Sequence, residues 1–212
     1  MASEPAIKRA IAYFDGQNLF HAAREAFGYS FPNFDPLKLA SRICQIQKWE
    51  LIRVHFYTGI PDASDNQFWH DFWSAKLLGM SRLGVHTRSR ALRYRNKSVL
   101  LADGSRHSFL VGEEKGIDVR IALDVIRHAH RREYDVALIF SQDQDLTEVA
   151  EEIRAVSLEQ SRWIKVACAF PDSPAARNRR GINKTDWLRI STHRLRPVSR
   201  SARLSSQTSI AR

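Results

Sequence analysis

The sequence has few of the features that mark secreted, zinc-finger or membrane proteins. Its 212 residues include two cysteines, Cys44 and Cys168, which lie in apolar segments and form no CxxC or Cys/His pattern. This argues against a metal finger or a disulfide framework and predicts two buried free thiols. No stretch approaches the ~20 apolar residues of a membrane span, and charged residues lie where a secretory signal needs its apolar run. We therefore expect a cytoplasmic protein that does not associate with membranes.

Several nucleotide and metal motifs are also missing. The chain has no GxGxxG segment, no Walker lysine loop and no HExxH, which argues against dinucleotide binding and zinc hydrolase chemistry. On a helix, the rings of His128 and His130 would point about 200° apart, so they do not form a zinc pair.

Charge is unevenly distributed along the chain. The formal net charge is +10, but residues 177–212 hold ten basic residues and one acidic residue, so residues 1–176 are nearly neutral. A basic end favours a nucleic-acid partner, although a solvated tail is the alternative. We expect an extension at residues 1–7, one domain over 8–192 and a disordered Ser/Arg-rich tail over 193–212.

Strands alternate with helices in the predicted secondary structure. The apolar runs at 10–14 and 134–140 show no alternation, which is typical of strands buried on both faces. Further strands are predicted at 51–57, 163–170 and 187–190, and helices at 19–27, from 36 onwards, and at 64–78, 117–130 and 146–156, with Asn18 expected to cap the first helix. This order predicts an α/β fold with a mostly parallel, doubly wound sheet.

A basic segment interrupts this alternation. Residues 82–106 contain seven Lys/Arg and one acid, Asp103. The dipeptide Asp103-Gly104 is typical of a hairpin turn, so we expect an inserted basic β-hairpin. Its candidate nucleic-acid contacts are Arg88, Arg90, Arg93, Arg95 and Lys97, with Tyr94 stacking on a base. A solvated hairpin is the alternative.

Four aromatic side chains fall close together on the helix predicted at 64–78. They are Phe68, Trp69, Phe72 and Trp73. This spacing favours core packing or a homodimer contact over a base-stacking surface.

Acidic residues follow two of the buried strands. Asp15 ends the first apolar strand, and Asp143 and Asp145 follow the strand at 134–140. If those strands are neighbours, the carboxylates meet at the carboxyl edge of the sheet, where α/β proteins bind ligands. Convergent carboxylates need cations, and an all-oxygen set suits Mg²⁺ or Mn²⁺.

The helix at 117–130 contributes two more candidate acids. Asp118 falls within the predicted apolar arc, where a carboxylate must be paired, hydrogen-bonded or metal-bound; a helix N-cap is the alternative. Asp124 falls on the polar face and is a weaker candidate ligand, the alternatives being a solvated charge or an ion pair with Arg120, Arg127 or Arg131. The loop acids Glu113 and Glu114 have a weak claim on the same edge.

Divalent metals held by carboxylates typically support phosphoryl transfer. In this interpretation Asp15 and Asp143 bind the metal directly and Asn18 orients a phosphate or water. Lys115 holds a phosphate as a point charge.

Three ordered motifs in residues 8–170 resemble the NYN domain, a branch of the PIN-like ribonucleases. They are Asp15-Gly-Gln-Asn18, the segment from Glu114 to Asp118 that leads into the helix with Asp124, and Ser141-x-Asp143-x-Asp145 after an apolar strand. The resemblance implies a three-layer α/β/α sandwich and cleavage of single-stranded or structured RNA with Mg²⁺ or Mn²⁺. It implies metal-site roles for Asp15, Asp118, Asp143 and Asp145, with Asn18 beside them.

The last motif departs from the family pattern at two positions. Gln142 stands where the family usually has glycine, and Leu146 where it usually has an aromatic residue. A Gln142 side chain could narrow the approach to Asp143.

Three functions therefore compete. The leading hypothesis is a divalent-metal-dependent ribonuclease. A non-catalytic RNA-binding or regulatory module is the first alternative, and a small-molecule phosphohydrolase is the second. Gln17 argues against haloacid-dehalogenase chemistry, which needs an aspartate two residues after Asp15.

Overall fold

The computed structural model describes residues 2–101 and 103–191. The tail expected at 193–212 lies outside the described residues. Along the described chain the elements are β1 (Arg9–Asp15), α1 (Gly16–Phe27), α2 (Pro36–Gln47), β2 (Glu50–Ile60), α3 (Ala63–Arg82), β3 (His86–Ala91), β4 (Arg93–Leu100), β5 (Arg106–Glu113), α4 (Ile117–His130), β6 (Val136–Phe140), a 3₁₀ turn (Gln144–Leu146), α5 (Thr147–Glu159), β7 (Lys165–Pro171) and β8 (Asp186–Ile190).

Six strands form one parallel sheet in the order β3-β2-β1-β6-β7-β8. The strand order reverses between β1 and β6, which are hydrogen-bonded neighbours. Strands β4 and β5 form a separate antiparallel hairpin. The α/β fold with its inserted hairpin is confirmed, and the reversal creates the crevice where such sheets bind ligands.

The alternation of side chains along β1 divides the interior into two cores. Ala10, Ala12 and Phe14 pack with α1, α2 and α3 on one face. Ile11 and Tyr13 pack with α4 and α5 on the other. Because successive strand residues face opposite sides, the apolar run at 10–14 of β1 requires helices on both faces, and the predicted three-layer sandwich is confirmed.

The turn from β1 into α1 leaves no spare room. The carboxylate of Asp15 caps α1 by accepting a hydrogen bond from the backbone amide of Asn18 at 3.1 Å. The expectation that Asn18 is the cap was therefore wrong. A Cβ on Gly16 would lie 2.6 Å from the Phe56 ring and 2.8 Å from the Tyr57 carbonyl oxygen. Glycine at position 16 therefore lets the helix begin directly on the sheet edge.

Helix α4 has its predicted bounds but a different orientation. Its buried side includes Asp124 and His128, whereas Val119 and Leu123 are 55% and 56% exposed. Of the predicted apolar arc, Ile121, Val125 and Ala129 are buried, whereas Val119 and Leu123 were wrongly placed in it. The helix is turned because polar bonds also dock it on the sheet. The Tyr57 hydroxyl donates to Asp124 at 3.0 Å.

The basic segment is split between two structures. Arg88 and Arg90 lie on β3, which pairs with β2 at the edge of the main sheet, so their assignment to the hairpin was wrong. Arg93, Arg95 and Lys97 lie on β4 of the hairpin. We call β4, β5 and their turn the ribbon.

Tyr94 attaches the ribbon to α3. Its hydroxyl donates to the Asp65 carboxylate at 3.1 Å and accepts from the Asp62 amide at 2.9 Å. The side chain expected to stack on a base is therefore held by its hydroxyl between two elements.

Burial confirms the two predicted free thiols and separates the four aromatic residues of α3 into buried and exposed ones. Cys44 and Cys168 are free and buried, and burial raises the pKa of each thiol to about 12. Of the α3 aromatic residues, Trp73 belongs to the core, whereas Phe68 is 59% exposed. None of the helices described has the length and apolar character needed to cross a membrane.

Candidate active site

The predicted acids lie at the carboxyl ends of β1 and β6, where the strand order reverses. Two hydrogen bonds join the segments that follow these strands. Ser141 Oγ donates to Asp15 Oδ2 at 3.3 Å, and the backbone amide of Gln142 donates to Asn18 Oδ1 at 2.8 Å. Asn18 thus links the two segments through its side-chain oxygen.

Asp15 is buried, with 4% of its surface exposed. Burial raises the pKa of its carboxyl to about 6, and the charges of Asp143 and Asp118 add to the rise, while bonds from the Asn18 amide and the Ser141 hydroxyl oppose it. A carboxylate that is buried beside other acids is poised to accept a cation. Asp143, after the neighbouring strand β6, and Asp118, on α4, are thus close enough for their charges to act on Asp15.

Glu114 joins this group, although its sequence position gave it a weak claim. Burial raises its pKa to about 7, and the charges of Asp15 and Asp118 contribute to the rise. Its carboxylate accepts a bond from the Gly59 amide at the end of β2. A Cβ on Gly59 would lie 2.7 Å from Glu114 Oε2, so the glycine permits this approach. The sequence contains both residues, a glycine at the end of β2 and an acid after β5. Nothing local shows that they meet, because they lie 55 positions apart.

The remaining acids of the motifs differ in exposure. Asp118 lies in the first turn of α4, and Gly116 occupies the cap position, so Asp118 is not the N-cap. Asp143 caps the 3₁₀ turn by accepting from the Asp145 amide at 3.1 Å. Asp145 is exposed.

Asp124 lies elsewhere, in a cluster of arginines on the α4 side of the sheet. Its carboxylate contacts Arg120 and Arg127 at 2.5 Å each and Arg88 at 3.4 Å, and it is 1% exposed. Burial opposes its ionisation, but the bonds from Arg120 and Tyr57 and the charges of the arginines outweigh burial, and the pKa falls below its ordinary value. The paired-ion alternative accounts for Asp124, and its oxygens are already occupied.

The donor atoms of these acids suit a divalent metal ion, but their positions do not form a complete set of ligands. Asp15, Asp118, Asp143 and Glu114 offer only oxygen, the donor that Mg²⁺ and Mn²⁺ prefer, and burial and mutual repulsion raise the pKa of Asp15 and of Glu114. Within residues 2–101 and 103–191, however, no three acid, imidazole or thiol groups converge on one ion position. The donor atoms suit a hard divalent cation, whereas a closed three-ligand arrangement is not formed.

Gln142 turns away from the acids. Its side-chain amide donates to the carbonyl oxygens of Asn178 and Arg180 at 3.1 and 2.9 Å. Gln144 donates to the Gly181 carbonyl oxygen at 3.0 Å. These bonds fasten residues 172–185, the basic loop between β7 and β8, to the segment that carries Asp143.

Cationic side chains border the site on the ribbon side. Lys97 and Lys115 lie 2.9 and 3.8 Å from the Glu113 carboxylate, and Arg95 lies 3.9 Å from it. Arg90 reaches the Lys115 carbonyl oxygen at 3.5 Å. Arg95, Lys97 and Lys115 therefore share one acidic partner, Glu113, at the end of β5.

Comparisons with known proteins identify the family. The NYN domain model matches residues 9–164. Low amplitude and bright protein LabA from Synechococcus elongatus is 25% identical over 187 residues, which cover 88% of this chain and 84% of LabA. The crystal structure of VPA0982, a protein of unknown function from Vibrio parahaemolyticus, matches the fold with a TM-score of 0.51 at 20% identity, over 87% of this chain and 93% of that chain. Since the family match covers more than half of the sequence, the chain belongs to the NYN domain family.

Proposed function

We propose that this protein is a divalent-metal-dependent ribonuclease that hydrolyses phosphodiester bonds of RNA. The observation that carries the proposal is the buried Asp15 carboxylate at the sheet reversal, with its pKa raised to about 6 by burial and by the charges of Asp143 and Asp118. Such repulsion among buried acids is relieved by a cation. Membership of a nuclease-like family supports the same reading.

In the proposed site, Asp15, Asp118 and Asp143 would hold Mg²⁺ or Mn²⁺, with the exposed Asp145 beside them. Such an ion, when bound, would supply polarisation of a phosphate oxygen and activation of water. Asn18, whose Oδ1 accepts a bond from the Gln142 backbone amide, would offer its side-chain NH₂ group to a phosphate or water. Glu114, whose pKa is raised to about 7 by burial and by the charges of Asp15 and Asp118, would take up a proton more readily than an exposed glutamate.

RNA is the proposed substrate because cations flank the acids. The ribbon carries Arg93, Arg95 and Lys97, the neighbouring edge strand carries Arg88 and Arg90, and Lys115 precedes α4. Basic side chains beside a nuclease site hold phosphates without reading sequence. Arg88 also pairs with Asp124, and Arg95, Lys97 and Lys115 with Glu113, so these four cations would have to exchange an acidic partner for a phosphate.

The test is cleavage of labelled single-stranded and hairpin RNA with Mn²⁺. We expect Asp15→Asn and Asp143→Asn to lose cleavage, while the control Asp71→Asn, on an exposed position of α3, retains it. Mn²⁺ should also raise the thermal midpoint of the parent protein but not of Asp15→Asn. Equal cleavage by the parent and both site variants would refute the proposal.

A second candidate is an RNA-binding module without catalysis. It is favoured by one observation, the absence of a closed three-ligand group among the described residues. Intact RNA binding, with neither cleavage nor stabilisation by Mg²⁺ or Mn²⁺, would select this candidate.

A further inference from the structure

A cavity of about 350 Å³ opens at the same end of the sheet as the acids, between α1, α3 and the ribbon. This volume lies within the range of small-molecule sites, roughly 300–1,000 Å³. Its lining residues are Gln17, Phe20, Arg24, Ser30, Pro61, Asp65, Asn66, Trp69, Trp73, Leu92 and Gly112. Residues of α1, α3 and the ribbon strand β5 therefore contribute to its walls.

The lining combines aromatic faces with hydrogen-bonding groups. The rings of Phe20 and Trp69 lie 6.4 Å apart and are tilted by 50°, and Trp73 belongs to the buried core. Five of the eleven lining residues are polar or charged. A nucleobase matches this combination, because it has a flat ring for stacking and polar edges for hydrogen bonds.

Hydrogen bonds through Gly59 link a lining residue of the cavity, Gln17, to the acid cluster. Gln17 lies between the capping residue Asp15 and Asn18, and its side-chain amide donates to the Gly59 carbonyl oxygen at 3.2 Å. The amide of the same Gly59 donates to Glu114. One glycine thus contacts a wall of the cavity on its carbonyl side and an acid of the proposed site on its amide side.

We infer that this cavity binds a nucleobase of a single-stranded RNA whose phosphate lies at the acid cluster. The inference rests on the proposed function for the substrate class and adds a base-binding site to it. Stacking against an aromatic side chain accepts any base. The cavity therefore selects unpaired over paired RNA, because a paired base is not free to enter.

The experiment measures binding, not cleavage, in full-length protein carrying Asp15→Asn, so that the RNA stays intact. The probes are a labelled single-stranded RNA decamer of mixed sequence and a matching decamer with abasic residues at its four central positions. We expect Trp69→Leu to weaken binding of the normal decamer roughly tenfold and to leave binding of the abasic decamer unchanged. Phe68→Leu is the matched control, since Phe68 is the preceding α3 residue and is exposed to solvent.

A second variant protects the test against loss of fold. Arg24→Gln changes an exposed lining residue, and it should also reduce the preference for the normal over the abasic decamer. The inference is overturned if both variants keep the parental preference, or if Trp69→Leu weakens both decamers equally.

Two further outcomes separate the possible explanations. Cleavage of RNA by the parent with no change of affinity in Trp69→Leu would refute the base site and leave the ribonuclease intact. Base-dependent binding by a protein that never cleaves would support the base site and refute the ribonuclease. A dimer in sedimentation that Trp69→Leu dissociates, with no change in RNA affinity, would assign the cavity to a second copy and overturn the inference.

Discussion

At the scale of single residues, the surroundings of Asp15 have opposite effects on the ionisation of its carboxyl group: hydrogen bonds favour it, and burial beside other acids opposes it. Asp15 caps α1 and accepts a bond from Ser141, and both contacts favour the ionised carboxylate. Burial and the neighbouring acids have the larger effect and raise its pKa to about 6. An ionised Asp15 therefore destabilises the metal-free fold, which is typical of a residue retained for function.

This conflict predicts that Asp15→Asn stabilises the metal-free protein. A raised pKa in the folded state means that the destabilisation is absent below pH about 4, grows between pH 4 and 6 and is complete above pH 6. In EDTA at pH 8, urea unfolding should give Asp15→Asn a free energy of unfolding higher by roughly 1–3 kcal/mol. The difference should vanish near pH 4.

The exposed control Asp71→Asn should show no such pH-dependent gain. A lower stability for Asp15→Asn at pH 8 would mean that the capping and Ser141 bonds outweigh burial.

Among individual residues, the sequence predicts positions that depend on local pattern but not contacts between distant residues. Asp15 ends one apolar strand and Asp143 lies three residues after another, so both are predicted at the carboxyl edge of the sheet, where the structure places them. The bond of Glu114 to Gly59 joins residues 55 positions apart, which no local pattern indicates. Gln142 does not narrow the approach to Asp143, because its side chain bonds to carbonyl oxygens 36 and 38 residues away.

At the scale of elements, the basic loop over 172–185 takes the place of a helix in the crossover from β7 to β8. Its backbone is held by the side chains of Gln142 and Gln144. Loops held by a few side-chain bonds open locally at low free energy. The loop and the Asp143 segment should therefore be ordered or disordered together.

We predict that Gln142→Ala releases this loop. The carbonyl oxygens of Asn178 and Arg180 would lose a buried donor, which lowers stability by about 1–3 kcal/mol. Limited trypsin digestion under native conditions should then cut faster after Arg177, Arg179 or Arg180. Gln67→Ala is the control, because the Gln67 side chain bonds to Asp71 on the surface of α3. An unchanged rate of cutting would show that bonds other than those of Gln142 are enough to hold the loop.

The ribbon projects cations beside the site, and its charge should be visible in the salt dependence of RNA binding. Replacing Arg93, Arg95 and Lys97 with glutamine should weaken binding to all sequences and lower the slope of log affinity against log salt by up to about 2. Replacing Lys38, Arg42 and Lys48, at α2, with glutamine removes equal charge away from the ribbon. The same slope in both triple variants would contradict a role for the ribbon.

Element bounds were predictable, but element faces were not. The apolar run of β6 and the limits of α4 followed from local composition. The orientation of α4 depended on hydroxyl bonds from tyrosines of the sheet, which a helical wheel does not contain. The edge strand β3 and the ribbon strand β4 have similar basic sequences, so pairing with β2 alone distinguishes them.

At the scale of the whole molecule, the net charge of +10 is the sum of separated parts. Acids gather at the sheet reversal, cations lie on the ribbon, and residues 177–212 carry most of the excess. We propose that the Ser/Arg-rich end adds affinity for RNA without taking part in chemistry.

Truncation after Pro197 tests this division. We expect weaker RNA binding and a smaller salt slope, because three arginines are removed. The rate of cleavage at saturating RNA should not change. A fall in that rate would mean that the tail contributes to the site itself.

Two adjacent carboxylates connect the ribbon to the acid cluster. Glu113 ends β5 and pairs with Lys97 of the opposite ribbon strand, while Glu114 bonds to the Gly59 amide. One peptide bond therefore separates Glu113, which contacts the opposite strand of the ribbon, from Glu114, which belongs to the acid cluster. The placement of the ribbon and the placement of the Glu114 carboxylate at the end of β2 therefore depend on two neighbouring residues, Glu113 and Glu114.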